Sequence, residues 1–191
     1  MAGLSGKAVT VRAYACLTLA FLFFIPTAYS QTVTALTEDN VKAFISRTSE
    51  VTNNKAEGLD GNGIKTYLQT HLHENARFKS KMTYEIPGFP SKEAELALDK
   101  DEFMDTVAAG AQTVQKYSNE ISVKEVKIAS SGKSATVKTD STEEGVMDVE
   151  GQQVPILGQS TCDQIIMLSD DGVIQMFNAN CTTIIRFKDG F

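Results

Sequence analysis

The chain has 191 residues, of which 42% are apolar and 22% are charged, and its formal net charge is −6. This length suits one domain with a real hydrophobic core, and this composition excludes disordered, collagen-like and low-complexity chains. Acidic residues outnumber basic residues by 24 to 18, so nothing in the balance indicates the basic patch of a nucleic-acid-binding protein.

Residues 1–30 have the pattern of a secretory signal peptide. Two basic residues precede an uncharged apolar run at 13–25, which a proline ends. Small residues at Ala28 and Ser30 then occupy the positions that precede a signal-peptidase cut. We predict cleavage after Ser30, which leaves residues 31–191 as a single α+β domain in the periplasm or outside the cell.

A retained membrane anchor is the alternative interpretation of the same run. A helix of thirteen residues reaches about 20 Å, short of the ~30 Å hydrocarbon core, and extension to Tyr29 approaches the lower limit. Cleavage would remove Lys7 and Arg12 and leave 16 basic against 24 acidic residues, a net charge of −8. We therefore expect no association with anionic membranes or nucleic acid after cleavage.

Three helices are predicted in the first half of the mature chain. Apolar spacing indicates helices at about 37–52, which Thr37 caps, and at 64–72, after a turn cluster at 60–63. An alternating run at 78–86 then predicts a half-buried strand. The third helix begins near Asp99, which forms a capping box with Glu102.

The second half of the mature chain has the composition of β-strands. Segments rich in Val, Ile and Thr lie at 121–129, 135–142, 162–169 and 173–187. Asp171-Gly172, between the last two, is the strongest hairpin signal in the chain. Helices followed by consecutive strands predict an α+β fold, with three helices packed on a curved, mainly antiparallel sheet.

The predicted turn at Asp171-Gly172 places the only two cysteines of the mature chain opposite each other. Across a two-residue turn the numbers of facing residues sum to 343, as those of Cys162 and Cys181 do. The pair would then be hydrogen-bonded, with Cα atoms about 5.5 Å apart, unless a bulge alters the register. We predict a structural disulfide, because redox-active cysteines usually lie closer in sequence, as in Cys-x-x-Cys.

Few ionisable residues are candidates for chemistry. His71 and His73 would point about 200° apart on a helix, so we predict no metal site there. Asp163 neighbours a strand interior, where burial would raise the pKa of its carboxyl group and suit it to general-base catalysis, although a surface aspartate is the default expectation. No nucleophile elbow, dinucleotide fingerprint or phosphate loop occurs, and we predict no cofactor.

Aromatic and methionine side chains indicate either an ordinary core or a small-molecule cavity between sheet and helices. The set consists of Tyr67, Phe78, Met82, Tyr84, Phe103, Met167, Met176 and Phe177. Such side chains line pockets together with occasional polar groups, here Gln164 and Asn178. The residues that we select as cavity-lining are Tyr67, Tyr84, Phe103, Asp163 and Phe177.

The order of elements resembles the nuclear transport factor 2-like superfamily, in which a curved sheet forms a cone over three helices. The stretch 98–103 looks like that group's strand-to-helix junction, and the strands at 121–140 and 162–187 are similar to its later strands. The resemblance covers about residues 37–187 and implies a cystatin-like cone, with a homodimer possible through the outer face of the sheet. The insert at 148–160 is longer than the simplest members need.

That superfamily contains isomerases, cyclases and dehydratases as well as carriers and scaffolds, so the resemblance leaves the function open. Our first hypothesis is an exported module without catalytic activity that binds a small apolar ligand or a protein partner. The second is an isomerase-, dehydratase- or cyclase-like enzyme, with Asp163 or Asp148 paired with Tyr67 or Tyr84. The third is a membrane-tethered secretion-system assembly subunit, against which the absence of the Asn-Pro-x-Gly motif counts.

Overall fold

Capped helices form the first layer of the fold in this computed structural model, which describes residues 33–53, 56–149 and 152–187. The helices in these ranges are α1 (Glu38–Thr52), α2 (Gly61–His71) and α3 (Lys100–Thr113). The predicted capping box of α3 is confirmed: the Glu102 amide donates to Asp99 Oδ1 and the Asp99 amide donates to Glu102 Oε2, both at 3.0 Å.

A six-stranded sheet forms the second layer of the described residues. Its strands are β1 (Leu72–Glu85), β2 (Lys92–Asp99), β3 (Val114–Ile128), β4 (Ser134–Val149), β5 (Gln152–Leu168) and β6 (Ile174–Phe187). The spatial order is β2-β1-β6-β5-β4-β3. All neighbours are antiparallel except β1 and β6, which are parallel. The predicted α+β architecture, with three helices and a mainly antiparallel sheet, is confirmed.

The sheet contains one strand that was not predicted and one strand pair that is longer than predicted. Strand β2 was not predicted, because an edge strand is mostly exposed and its sequence, Lys92–Asp99, lacks a clean alternation of apolar and polar residues. The segment 148–160, predicted as an insert, instead extends β4 and β5, which pair continuously from Ser134 and Met167 outward to Val149 and Gln152.

The hydrophobic core lies between the helices and one face of the sheet, which we call the inner face. Val41 and Ile45 of α1 and Leu68 of α2 are fully buried there, as are Val137 of β4 and Ile166 of β5. Because successive side chains of a strand point to opposite faces, the even-numbered residues of β5 share the inner face with Ile166.

The hairpin between β5 and β6 has a three-residue loop, not the predicted two-residue turn. The Ser169 amide donates to the Val173 carbonyl at 2.9 Å, and Gly172 has a φ of +77°, as a loop ending in a glycine bulge requires. The strands therefore start one residue out of the predicted register, with Leu168 opposite Ile174.

A bulge in β6 restores the predicted register farther along the hairpin. Ile166 pairs with Met176, whereas Ile165 pairs with Asn178. Cys162 and Cys181 consequently face each other and form the predicted disulfide. Their Cα atoms are 4.1 Å apart, so the expected wide, hydrogen-bonded position is wrong: this distance is typical of a narrow pair.

No helix within the described ranges is long and apolar enough to span a bilayer. The predicted signal peptide and its alternative, the membrane anchor, lie outside the described residues.

Candidate functional site

A cavity of about 310 Å³ lies between the inner face of the sheet and helices α1 and α3. One end, formed by Phe78, Gln164 and Ala179, adjoins the buried core, and we call it the core end. The opposite end is formed by the half-buried side chains of Asn119 and Glu143, and we call it the rim.

Apolar side chains form the wall at the core end. Phe78 of β1 and Phe103 of α3 stack with ring centroids 3.9 Å apart and planes 15° from parallel. Leu98 lies opposite Phe78 on β2, and Ala179 lies opposite it on β6. The stack joins the start of α3 to the sheet, so this wall is held from both layers.

Hydroxyl groups form the middle of the sheet wall. The Oγ1 of Thr183 lies 2.9 Å from the Oγ of Ser160 and 3.2 Å from the Oγ of Ser80, so the three side chains form one hydrogen-bonded chain across β5, β6 and β1. Ser141 of β4 lies opposite Ser160. These small polar side chains leave open the space that larger core residues would fill.

The disulfide also lines the cavity. Cys162 and Cys181 lie between Thr139 on β4 and Ser80 on β1 in one row across the sheet. The bond therefore joins the two central strands at the wall of the cavity, in the row of Ser80 and one row from Ser160 and Thr183. The structural role of the bond stays a prediction.

Two amide oxygens on the cavity wall have no hydrogen-bond partner among the described residues. Gln164 is only 6% exposed, and its Nε2 donates to Thr139 Oγ1 at 2.9 Å, but its Oε1 accepts no hydrogen bond from the described residues. Asn119 Oδ1 at the rim is likewise buried and unpartnered among these residues. Buried acceptors of this kind are costly, so each needs an explanation.

Only one of the five residues selected from the sequence lines this cavity. Phe103 does so through its stack with Phe78. Tyr67 instead packs on His71, with ring centroids 4.3 Å apart, and its hydroxyl lies 3.1 Å from Thr48 Oγ1. Burial raises the pKa of Tyr67, and the hydrogen bond to Thr48 partly opposes that rise.

Tyr84 and Phe177 also make their contacts away from the cavity lining. The Tyr84 hydroxyl donates to the sulfur of Met82 at 3.5 Å, and the Phe177 ring lies edge-on to His73 at 5.0 Å. Tyr84 alternates with Phe78 and Ser80 on β1, so its position along the strand, and not its side, keeps it out of the lining, whereas Phe177 is the extra residue of the bulge in β6.

The selection of Asp163 for the cavity is wrong. Its neighbours Cys162 and Gln164 occupy the inner face, so Asp163 points to the other face of the sheet. There its side chain is 70% exposed, and its Oδ1 lies 3.8 Å from Lys138 Nζ. The predicted pair of Asp163 with Tyr67 is therefore not formed, and the side chain of Asp148 lies outside the described part of the structure.

The cavity contains a carboxylate that the sequence prediction did not select. Glu143 follows Ala135, Val137, Thr139 and Ser141 at every second position of β4, and this alternation places it on the inner face. The apolar start of the strand was the signal that could have identified it.

The two histidines are held in separate hydrogen bonds. His71 Nδ1 lies 2.9 Å from the Ile174 carbonyl, and His73 Nδ1 accepts from the Asn75 amide at 3.0 Å. Within the described ranges, no three His, Cys, Asp or Glu side chains group as a metal site.

Comparisons with known proteins identify the fold. No family model and no curated protein sequence matches the chain. A conserved protein from Planctomyces limnophilus has a similar structure, with a TM-score of 0.52 and 16% identity over 76% of this chain and 94% of that one. A type 2 hexachlorocyclohexane dehydrochlorinase (LinA) matches with a TM-score of 0.52 and 12% identity over 80% of this chain and 91% of that chain.

An NTF-2 like protein from Shewanella oneidensis also matches, at a TM-score of 0.46 and 12% identity over 75% of this chain and 97% of that chain. At these identities the likenesses show the fold alone. The Planctomyces protein and the dehydrochlorinase share the fold of this chain, three helices on a mainly antiparallel sheet.

Proposed function

We propose that this chain, a protein of nuclear transport factor 2-like fold, is a non-catalytic binding module that takes up a small, largely apolar molecule in its cone. The observation that carries the proposal is the cavity of about 310 Å³. Its size is at the lower end of ligand pockets, and its combination of apolar walls with a few fixed polar groups is typical of them. The paired aromatic rings and the disulfide give these walls a rigid frame.

An apolar fluorescent probe tests this proposal. N-phenyl-1-naphthylamine becomes brighter in an apolar cavity, and the chain has no tryptophan to interfere. Ser160 lines the cavity, whereas Thr161 is exposed on the opposite face of the same strand. We expect Ser160→Leu to fill the cavity and weaken probe binding at least about tenfold, because several buried methyl groups would occupy the ligand's space.

Thr161→Leu is the matched control and should bind the probe as the wild type does. Thermal melts of both variants establish that they are folded. Equal binding by the wild type and a folded Ser160→Leu variant would show that the cone is not the binding site.

The compartment that we propose is the periplasm or the extracellular space. The signal-peptide pattern and the disulfide support it, because disulfides persist in oxidising compartments. Amino-terminal sequencing of the exported protein should give Gln31 as the first residue. A first residue within 1–30 would contradict cleavage at this position and favour the tethered alternative.

Docking of a protein partner on an apolar patch has less support. The most exposed large apolar side chains of the described residues are Phe89, Leu96 and Ile165, and they lie on a turn and two separate strands. An interface would need them to be contiguous. The homodimer through the outer face of the sheet stays a prediction. Light scattering of the protein as it elutes from a size-exclusion column measures its molar mass and checks whether it is a dimer.

Glu143 favours a second candidate function, acid–base chemistry in the cone. A carboxylate beside a bound ligand can accept a proton from it, and Glu143 lines the cavity. The test incubates a ligand identified in the cavity with the wild type and with Glu143→Gln. Conversion by the wild type alone would support an enzyme, whereas an unchanged ligand in both samples would support the carrier.

A further inference from the structure

We propose that the ligand carries a hydroxyl or N–H group at its leading end, by which we mean the end that lies at the core end of the cavity. This group donates a hydrogen bond to Gln164 Oε1. This inference rests on the proposed function, because it names the class of molecule that the cone accepts. That class is an apolar molecule with a hydrogen-bond donor, neutral or positively charged.

The position of the Gln164 amide is set by the fold. Its Nε2 donates to Thr139 Oγ1 at 2.9 Å, and Thr139 is itself buried on the neighbouring strand. The hydrogen bond uses the donor side of the amide and leaves the acceptor side, Oε1, buried and without a partner among the described residues. Gln164 lines the cavity, so a small shift of its side chain would expose Oε1 to a molecule in the cavity, which could then supply the missing donor.

The surroundings of Gln164 limit what else the ligand can contain. Phe78, Leu98 and Ala179 lie in the same row across the sheet, and Phe103 stacks on Phe78. The leading end of the ligand is therefore apolar except for its donor. A carboxylate at this end would face the Gln164 oxygen, and repulsion between two acceptors would exclude it.

The rim contains a second acceptor of this kind, on Asn119. Asn119 Oδ1 is unpartnered within the described part of the chain, and the Glu143 carboxylate lies on the neighbouring strand, directly opposite Asn119. Glu143 in turn faces Gly158, six residues from Gln164 along β5, and six residues of strand measure about 20 Å. Acceptors this far apart in the lining favour an elongated molecule with donors.

A matched pair of probes tests the inference. 4-Pentylphenol and 4-pentylanisole have the same apolar body, but only the phenol has a donor. Calorimetric titration of the wild type should show that the phenol binds at least about tenfold more tightly, because a buried polar group left unpaired strongly disfavours the analogue. Gln164→Leu should remove this discrimination, because it weakens the binding of the phenol and not that of the anisole.

Gln159→Leu is the control, since Gln159 is exposed on the opposite face of the same strand. It should preserve the preference for the phenol. The double variant Gln164→Leu/Thr139→Val removes both partners of the hydrogen bond, and it provides the same measurement where the single variant fails to fold.

The outcomes separate the inference from the proposed function. Should the anisole bind the wild type as tightly as the phenol, or more tightly, the donor inference is wrong while ligand binding in the cone stands. Should the phenol keep its advantage in folded Gln164→Leu, Gln164 is not the acceptor and the inference is again wrong. Failure of the phenol, the anisole and N-phenyl-1-naphthylamine to bind would overturn both.

Discussion

Tyr67 shows how a single side chain can connect two helices and acquire an altered ionisation. Its ring packs on His71 at the end of α2, and its hydroxyl is hydrogen-bonded to Thr48 of α1. Burial disfavours the tyrosinate and raises the pKa of Tyr67 above 10.0, against the opposing effect of the hydrogen bond to Thr48. The folded state therefore favours the neutral phenol.

This pKa shift predicts a loss of stability at alkaline pH. The stabilisation is fully present below the unfolded pKa of about 10 and is lost as the pH rises through the higher folded pKa. Tyr67→Phe should therefore lose less of its free energy of unfolding above pH ~10 than the wild type does. Denaturant titrations at a series of alkaline pH values measure the difference. Parallel curves for wild type and variant would contradict the shift.

Thr48→Val provides an independent check on its cause. Removal of the hydrogen bond that lowers the pKa should move the ionisation of Tyr67 to still higher pH. The chain has five tyrosines, so the difference in tyrosinate absorbance between each protein and its Tyr67→Phe counterpart follows this ionisation. A shift to lower pH would show that the hydrogen bond to Thr48 stabilises the phenol and not the phenolate.

At the scale of single elements, the carboxyl end of α2 is held by a side chain from another helix. Lys100, the first residue of α3, donates from Nζ to the carbonyl oxygens of Gln69 at 2.7 Å and Leu72 at 2.8 Å. Carbonyls at the end of a helix lack intrahelical partners, and a cation there also interacts favourably with the helix dipole. The contact fixes α2 relative to the start of α3.

Loss of this contact should destabilise the domain. We expect Lys100→Met to lower the free energy of unfolding by about 1–2 kcal/mol, because two carbonyls lose a charged donor. Lys65→Met is the matched control: Lys65 is exposed on α2, and its replacement should change stability by less than about 0.5 kcal/mol. Urea denaturation measures both, and equal midpoints would show that Lys100 contributes nothing.

The elements that sequence patterns predicted best are those whose signals are local. The capping box of Asp99 and Glu102 involves residues three apart, so it can be recognised before any tertiary contact is known. Strand β2 has no such signal, because it becomes a strand only by pairing with β1. An edge strand that buries little shows neither a clear period nor a strong propensity.

At the scale of the whole molecule, the disulfide is the covalent link between distant parts of the chain. Cys162 and Cys181 are 19 positions apart and join the central strands β5 and β6. A loop of this length stabilises a protein by about 3 kcal/mol on the chain-entropy model, because the cross-link restricts the unfolded chain.

The double variant Cys162→Ala/Cys181→Ala should lose about this much stability. A reducing agent should lower the unfolding midpoint of the wild type to that of the variant and leave the variant unchanged. If the wild type and the variant unfold at the same denaturant concentration, the disulfide has no stabilising role. That result would favour a functional role for the disulfide.

The sequence alone determined the α+β class, the caps of α1 and α3 and the pairing of Cys162 with Cys181. Caps are local, and the cysteine pairing needs only the hairpin, in which the extra loop residue and the bulge near Phe177 compensate each other. The face of the sheet to which each side chain points depends on how six strands pair. Only the tertiary structure could therefore place Asp163 outside the cone and bring Asn119, Glu143 and Gln164 onto the wall of one cavity.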